Sequence, residues 1–257
     1  MITASRATSV LALCGIAAAW MGPDSVTAQA ANAKKTTEPP AYRLVTNLPW
    51  VRAPTRAEVK MAYPDDASDV KASGLIVLRC ALGDNGRLSR CETKSDDAGR
   101  WGLAEAAKVL SRTFVARIDA ADHDLLASVR VDLPIRFGPP PSSSKPRYLD
   151  TVEWLKAPRA DAVMEAFPAK AADAGVTEGR ASIDCAVHAN GQLGECVTRT
   201  EEPQAMEFGA AAVQIGNLLV VNPWTDDGMP AEGARVRFSI KFVKAPDPAP
   251  SPPAKPQ

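Results

Sequence analysis

The sequence predicts an α+β protein of two tandem small domains, each a helix-strand-strand-helix-strand unit whose three-stranded antiparallel sheet packs on its helices. Three observations predict it. Two cysteine-bounded segments, "CALGDNGRLSRC" and "CAVHANGQLGEC", lie 105 residues apart, each with Asn-Gly near its centre. The similarity extends on both sides of them, which is the mark of an internal duplication. Each copy also carries one helical apolar stripe followed by one alternating apolar strand.

Taken in order, each copy opens on a segment with one tryptophan near its start. "PWVRAPTRAEVKMAYP" (49–64) runs against "EWLKAPRADAVMEAFP" (153–168), aligning Trp50 with Trp154, Pro54 with Pro158, Tyr63 with Phe167 and Pro64 with Pro168. Thr55 followed by Glu58 has the capping-box spacing and starts a short helix that Pro64 interrupts or ends. "GLIVLRCAL" and "RLSRCETK" then read as strands on either side of a turn. Leu103, Ala107, Leu110 and Phe114 recur at helical spacing, as do Phe208, Ala212, Ile215 and Leu219, so each unit has one amphipathic helix whose stripe belongs to the core. The last element, "SVRVDLPIRF" or "ARVRFSIKF", alternates as a strand with one buried face does.

The cysteines fit this order. Asn-Gly tolerates the positive φ of a tight hairpin, and folding about Asn85-Gly86 or Asn190-Gly191 sets Cys80 opposite Cys91 and Cys185 opposite Cys196. Opposed strand residues lie within disulfide reach. Neither the C-x2-C spacing of a zinc site nor a C-x-x-C redox pair occurs, so the four cysteines read as two structural staples.

The flanks set the compartment. Arg6 precedes an apolar run from Val10 to Met21, and Ala28-Gln29-Ala30 offers a small-x-small cleavage pattern, so residues 1–30 read as a secretory signal. An uncleaved inner-membrane anchor is the alternative, against which the run is broken at Gly15 and stops at Gly22-Pro23. Lipidation at Cys14 would want a small residue where Leu13 stands. Residues 31–46 are an N-terminal extension, 47–138 the first repeat, 139–150 a Pro/Ser-rich linker, 151–242 the second repeat and 243–257 a Pro-rich disordered tail. Export implies a periplasmic, oxidising compartment, with no membrane association after signal cleavage.

These motifs together resemble the C-terminal domain of the TonB family, bacterial energy transducers that reach across the periplasm. The residues that carry the likeness are Ala-Tyr-Pro and Ala-Phe-Pro near the start of each copy, Gly74 and Gly179 leading the first long strand, and the Asn-Gly-x-Leu turn. Paired alanines in the helix (Ala106 and Ala107, Ala211 and Ala212), "DDGMP" at 226–230 and "PIRF" at 134–137 complete it. The resemblance covers both repeats. It implies a non-catalytic module that binds an extended peptide of an envelope protein, outer-membrane receptors among them, by adding it to a sheet edge. An energy-transducing role would follow if the N-terminus stayed as an anchor, and an envelope scaffold is the third reading.

A three-stranded sheet has free edges that can recruit an extended chain. The candidate edge is the last strand of each repeat: Val129, Val131 and Ile135 in the first, Val236, Phe238 and Ile240 in the second. Pro134 donates no hydrogen bond and would interrupt pairing, whereas Ser239 stands at its place in the second copy, which makes the second edge the better one. The repeats also differ in charge, +1 against −5, which favours different partners.

Raw material for catalysis is thin. The two histidines, His123 and His188, fall on different repeats without counterparts, and no nucleophile elbow, zinc helix or P-loop motif is present. Asp96-Asp97 and Glu201-Glu202 are adjacent carboxylates in the loop before each helix rather than a facing pair. Equal numbers of acidic and basic residues, 30 each, give no basic surface for nucleic acid. No enzyme activity, cofactor or metal is expected.

Overall fold

The computed structural model describes residues 42–119, 126–138 and 145–245. The signal segment with Cys14, His123 and most of the expected linker and tail lie outside them. After β1 (Arg43–Val45), the first half runs through β2 (Trp50–Arg52), α1 (Arg56–Ala62), α2 (Asp65–Asp69), β3 (Gly74–Leu82), β4 (Leu88–Asp96), α3 (Leu103–Ser111), β5 (Val115–Ala116) and β6 (Val129–Phe137). The second half repeats the order in β7 (Trp154–Lys156), α4 (Ala160–Glu165), α5 (Ala169–Asp173), β8 (Glu178–Val187), β9 (Leu193–Glu202), α6 (Phe208–Gly216), β10 (Val220–Val221) and β11 (Arg235–Val243). The structure is mixed α and β. None of its described helices is long and apolar enough to cross a membrane.

The capping box at Thr55 and Glu58 is formed in both directions, and the Thr55 amide hydrogen bond is the main cause that lowers the Glu58 pKa. Pro64 ends α1 and stands at the N-cap of α2, where its missing N–H costs nothing. One carboxylate of each acidic pair holds the loop that leads to the helix. Asp96 accepts from the amides of Ala98 and Gly99 (2.9 and 2.8 Å), and Glu201 accepts from Met206 and Gly209 (3.2 and 2.8 Å) at the start of α6.

Both hairpins depart from a two-residue turn. Gly83 pairs with Arg87 around a three-residue tip, which sets Leu82 opposite Leu88 and Ala81 opposite Ser89. Folded that way, Cys80 would face Arg90. A bulge with Arg90 at φ 49° adds one residue and moves Cys91 opposite Cys80, where the sulfurs are 2.02 Å apart. Glu195, at φ 47°, does the same for Cys185 and Cys196, whose sulfurs are 2.05 Å apart.

The sheets correct the expectation of three antiparallel strands. The second half does hold β11-β8-β9, all antiparallel, but the first is a four-stranded sheet β1-β6-β3-β4 in which β1 lies parallel to β6. Thus residues 43–45, read as extension, belong to a sheet. Two further ribbons, β2 with β5 and β7 with β10, close each half beyond its helix. The helices α3 and α6 pack on one face of their sheets, over cores that include Ile76, Leu78, Phe114 and Leu133 in the first half and Ile183, Phe208, Leu219 and Phe242 in the second.

Candidate functional site

The two last strands differ in what lies against their outer edge. In β6, Arg136 donates its amide outward to the Gly228 carbonyl at 2.7 Å, so by the two-residue period the backbone groups of Arg130, Asp132 and Pro134 also point away from β3. Pro134 therefore withholds no bond from β3. This corrects the expectation that it interrupts pairing, and its carbonyl accepts the Trp224 indole N–H at 3.0 Å. Gly228 approaches so closely that an added Cβ would lie 3.0 Å from the Arg136 amide nitrogen, and its φ of +80° suits glycine. At the other end of the strand, Arg43 and Val45 of β1 stand opposite Val129 and Val131. Thus the first expected edge (Val129, Val131 and Ile135) is covered from both ends by this chain itself.

In β11 the outward groups begin the same way. The Arg235 amide donates to the Arg147 carbonyl (2.7 Å), and the Leu149 amide donates to the Arg235 carbonyl (2.9 Å), so a piece of the expected linker pairs in parallel with the first residue of the strand. Beyond it, the outward backbone groups of Arg237, Ser239, Lys241 and Val243 make no backbone hydrogen bond to a described residue. The side chains of these four are exposed. Val236 and Ile240 turn their side chains into the core, at 2% and 7% exposure, and Phe238 is half-buried against Trp154 with ring centroids 5.2 Å apart. The helix α4 packs beside β11, whereas α1 packs on α3.

On the face away from the helices each half carries a tyrosine bound to an ion pair, of reversed polarity in the two halves. Arg79 on β3 grips Asp132 on β6 through two bonds (2.7 and 2.6 Å) and donates to the Tyr42 hydroxyl (3.0 Å). At the matching places the second half has Asp184 on β8 and Arg237 on β11. Asp184 accepts from Arg237 (3.0 Å), from the Tyr148 hydroxyl (2.9 Å) and from Arg235. Burial pushes the Asp184 pKa up, but the hydrogen bonds from Arg235, Arg237 and Tyr148 outweigh that and hold it at about 2. Tyr42 and Tyr148 thereby tie the two parallel segments to their sheets, and Arg237 also lies over the Tyr148 ring at 5.0 Å.

The halves meet through reciprocal contacts. Arg117 donates to the Leu155 carbonyl (3.2 Å), while Asn222, its counterpart, donates to the Leu48 carbonyl (2.7 Å). Trp224 has no aromatic counterpart: it enters the first half's core, edge-on to Phe114 at 4.9 Å.

Sequence reading missed the tyrosine-bound ion pairs and Trp224. The pairs left a signal, because Arg79 and Asp184 interrupt apolar strands at matching places and Asp132 and Arg237 interrupt the last strands with the opposite signs. Trp224 left none, since its partner lies 90 residues away at Pro134. His188 sits at the hairpin tip, where its amide donates to Gln192. Among the described residues no group of three or more His, Cys, Asp or Glu is placed to hold a metal ion.

No protein-family model matches the chain, and no curated protein sequence does. Among solved structures it is similar to one titled as the molecular characterization of the TonB2 protein from Vibrio anguillarum, with 20% identity over 42% of this chain and 91% of that one and a TM-score of 0.23.

Proposed function

We propose that the chain is a non-catalytic protein-interaction module of the bacterial periplasm, built from two tandem domains of the TonB C-terminal type, residues 47–138 and 151–242. It binds an extended segment of an envelope protein as an added strand on β11, an outer-membrane receptor being one such partner. The observation that carries this reading is the outward edge at Arg237, Ser239, Lys241 and Val243, left unpaired by the backbone of the described residues, beside an apolar strip that includes half-buried Phe238 and Trp154. A row of free amides and carbonyls next to apolar contacts is what β-augmentation uses: the backbone supplies affinity and the flanking side chains select the partner. The first domain's edge is taken up by β1 and by residues of the second half, so it serves to hold the molecule together. Two disulfides suit an oxidising compartment.

The test is site-specific photo-crosslinking in cells, with the reactive residue at Ser239 or, as a control, at Glu92 on the opposite side of the first sheet. The proposal expects adducts to an envelope protein from Ser239 and not from Glu92. Equal adducts from both positions, or none from Ser239, would overturn it.

A further inference from the structure

One docking place occurs twice in the molecule, filled in the first half and left unfilled by the described residues in the second. In the first half Trp224 is 3% exposed, edge-on to Phe114, which is itself edge-on to Trp50 at 4.8 Å. Its indole N–H bonds the Pro134 carbonyl, and four residues later the Gly228 carbonyl accepts the Arg136 amide. Between them Asp227 offers its carbonyl to the Arg136 guanidinium at 3.0 Å. An indole and an acidic turn with two backbone acceptors thus occupy the strand edge.

Strand register equates Leu133, Pro134 and Arg136 with Phe238, Ser239 and Lys241, and Trp50 with Trp154. Leu133 and Trp50 are 1% and 3% exposed in the core that Trp224 joins, whereas Phe238 and Trp154 are only half-buried and Ser239 and Lys241 are exposed. The flanking cations Arg237 and Lys241 are paired within the chain, with Asp184 (3.0 Å) and Glu178 (2.9 Å), but their side chains stay 50% and 63% exposed, so an acidic turn would compete there with the chain's own carboxylates. The first-half stretch that corresponds to 224–230, residues 119–125, contains no tryptophan. Apart from Trp154, the described tryptophans all pack in the first half's core, so a segment of a second molecule is the occupant argued for.

We infer, on the strength of the docking function proposed above, that the β11 edge takes a partner segment in which a tryptophan precedes an acidic turn. The indole packs on Phe238 and Trp154 and donates to the Ser239 carbonyl, and a carbonyl of the turn receives the Lys241 amide. The partner's recognition chemistry is that of residues 224–230, presented by a second molecule.

The probe is a fluorescent peptide of residues 222–231, NPWTDDGMPA, titrated into the full chain beside its Trp224→Ala version and an aromatic-free peptide of alternating acidic and apolar residues. Saturable binding is expected, with shifts of the Ser239 and Lys241 amide resonances and affinity at least about tenfold lower for the alanine version. Lys241→Pro in the protein removes one outward N–H and leaves the β8 ladder intact, as Pro134 does in β6, and should weaken the peptide by a similar factor. Equal binding of the two tryptophan-site versions, or shifts at Arg136 instead of Lys241, would overturn the inference. If the aromatic-free peptide alone docks on β11, the anchor fails and edge docking stands; if no peptide docks there, both fail.

Discussion

Tyr42 and Tyr148 show how single side chains fix which segment lies on which edge. Each ends on an ion pair between the first long strand and the last strand of its half, Arg79 with Asp132 in one and Asp184 with Arg237 in the other. A hydroxyl can donate or accept, so either polarity satisfies the tyrosine. Exchanging both charges should therefore be tolerated where exchanging one is not. Arg79→Asp alone faces Asp132 with a second carboxylate and should cost about 2–3 kcal/mol. Adding Asp132→Arg should restore most of that in urea unfolding, and a double variant as unstable as the single would refute the equivalence. Asp184 also sets a pH dependence. Its folded pKa of about 2 lies below the usual carboxylate value near 3.9, so its stabilisation is complete above that value and is lost as pH falls through about 2. Asp184→Asn should flatten the stability loss between about pH 4 and pH 2, and an unchanged acid slope would contradict the assignment.

At the level of elements, the hairpin tips are bolted to the small ribbons behind them. The Ala116 amide bonds the Gly86 carbonyl, and the Val221 amide bonds Gly191, at 2.8 and 2.9 Å. A Cβ on Gly86 would fall 2.2 Å from the Ala116 carbonyl oxygen, at a φ of +74°. Gly86→Ala should thus cost about 2 kcal/mol or more, through strain and lost pairing together. A loss below half of that in urea unfolding would show that the tip yields easily. Reducing either disulfide should remove about 3 kcal/mol, read as a lower unfolding midpoint in dithiothreitol. The element order, the capping box and the cysteine pairing were legible because periodicity, Thr55-x-x-Glu58 and the Asn-Gly spacing are local. Arg90 and Glu195 were not legible as bulges, since nothing in an arginine or a glutamate marks positive φ. Likewise β1, β5 and β10 have two or three residues each, too few to show a period, and they exist only through the strands they meet.

Across the whole molecule, duplication was visible in the sequence while the relation between the copies was not. That relation rests on Trp224, on the Asn222 and Arg117 contacts and on the Gly228 approach to β6, none of which has a repeat partner of the same type. Trp224→Ala empties the space beside Phe114 and should cost about 3–5 kcal/mol. Because the indole belongs to one half and its surroundings to the other, the two halves should then unfold in separate steps, and a single unchanged transition would argue against this coupling. Sequence placed the docking edge on both last strands, since both alternate alike. The occupants that close the first lie 85 or more residues away in the chain, at Val45 beside Val131 and at Gly228 beside Arg136. The closed and open edges can be compared at matching positions by amide hydrogen exchange on the intact, oxidised protein. The account predicts that Arg136, bonded to Gly228, is protected, and that the amide of Lys241, its counterpart, exchanges as freely as a solvated strand edge; equal protection of the two would contradict it.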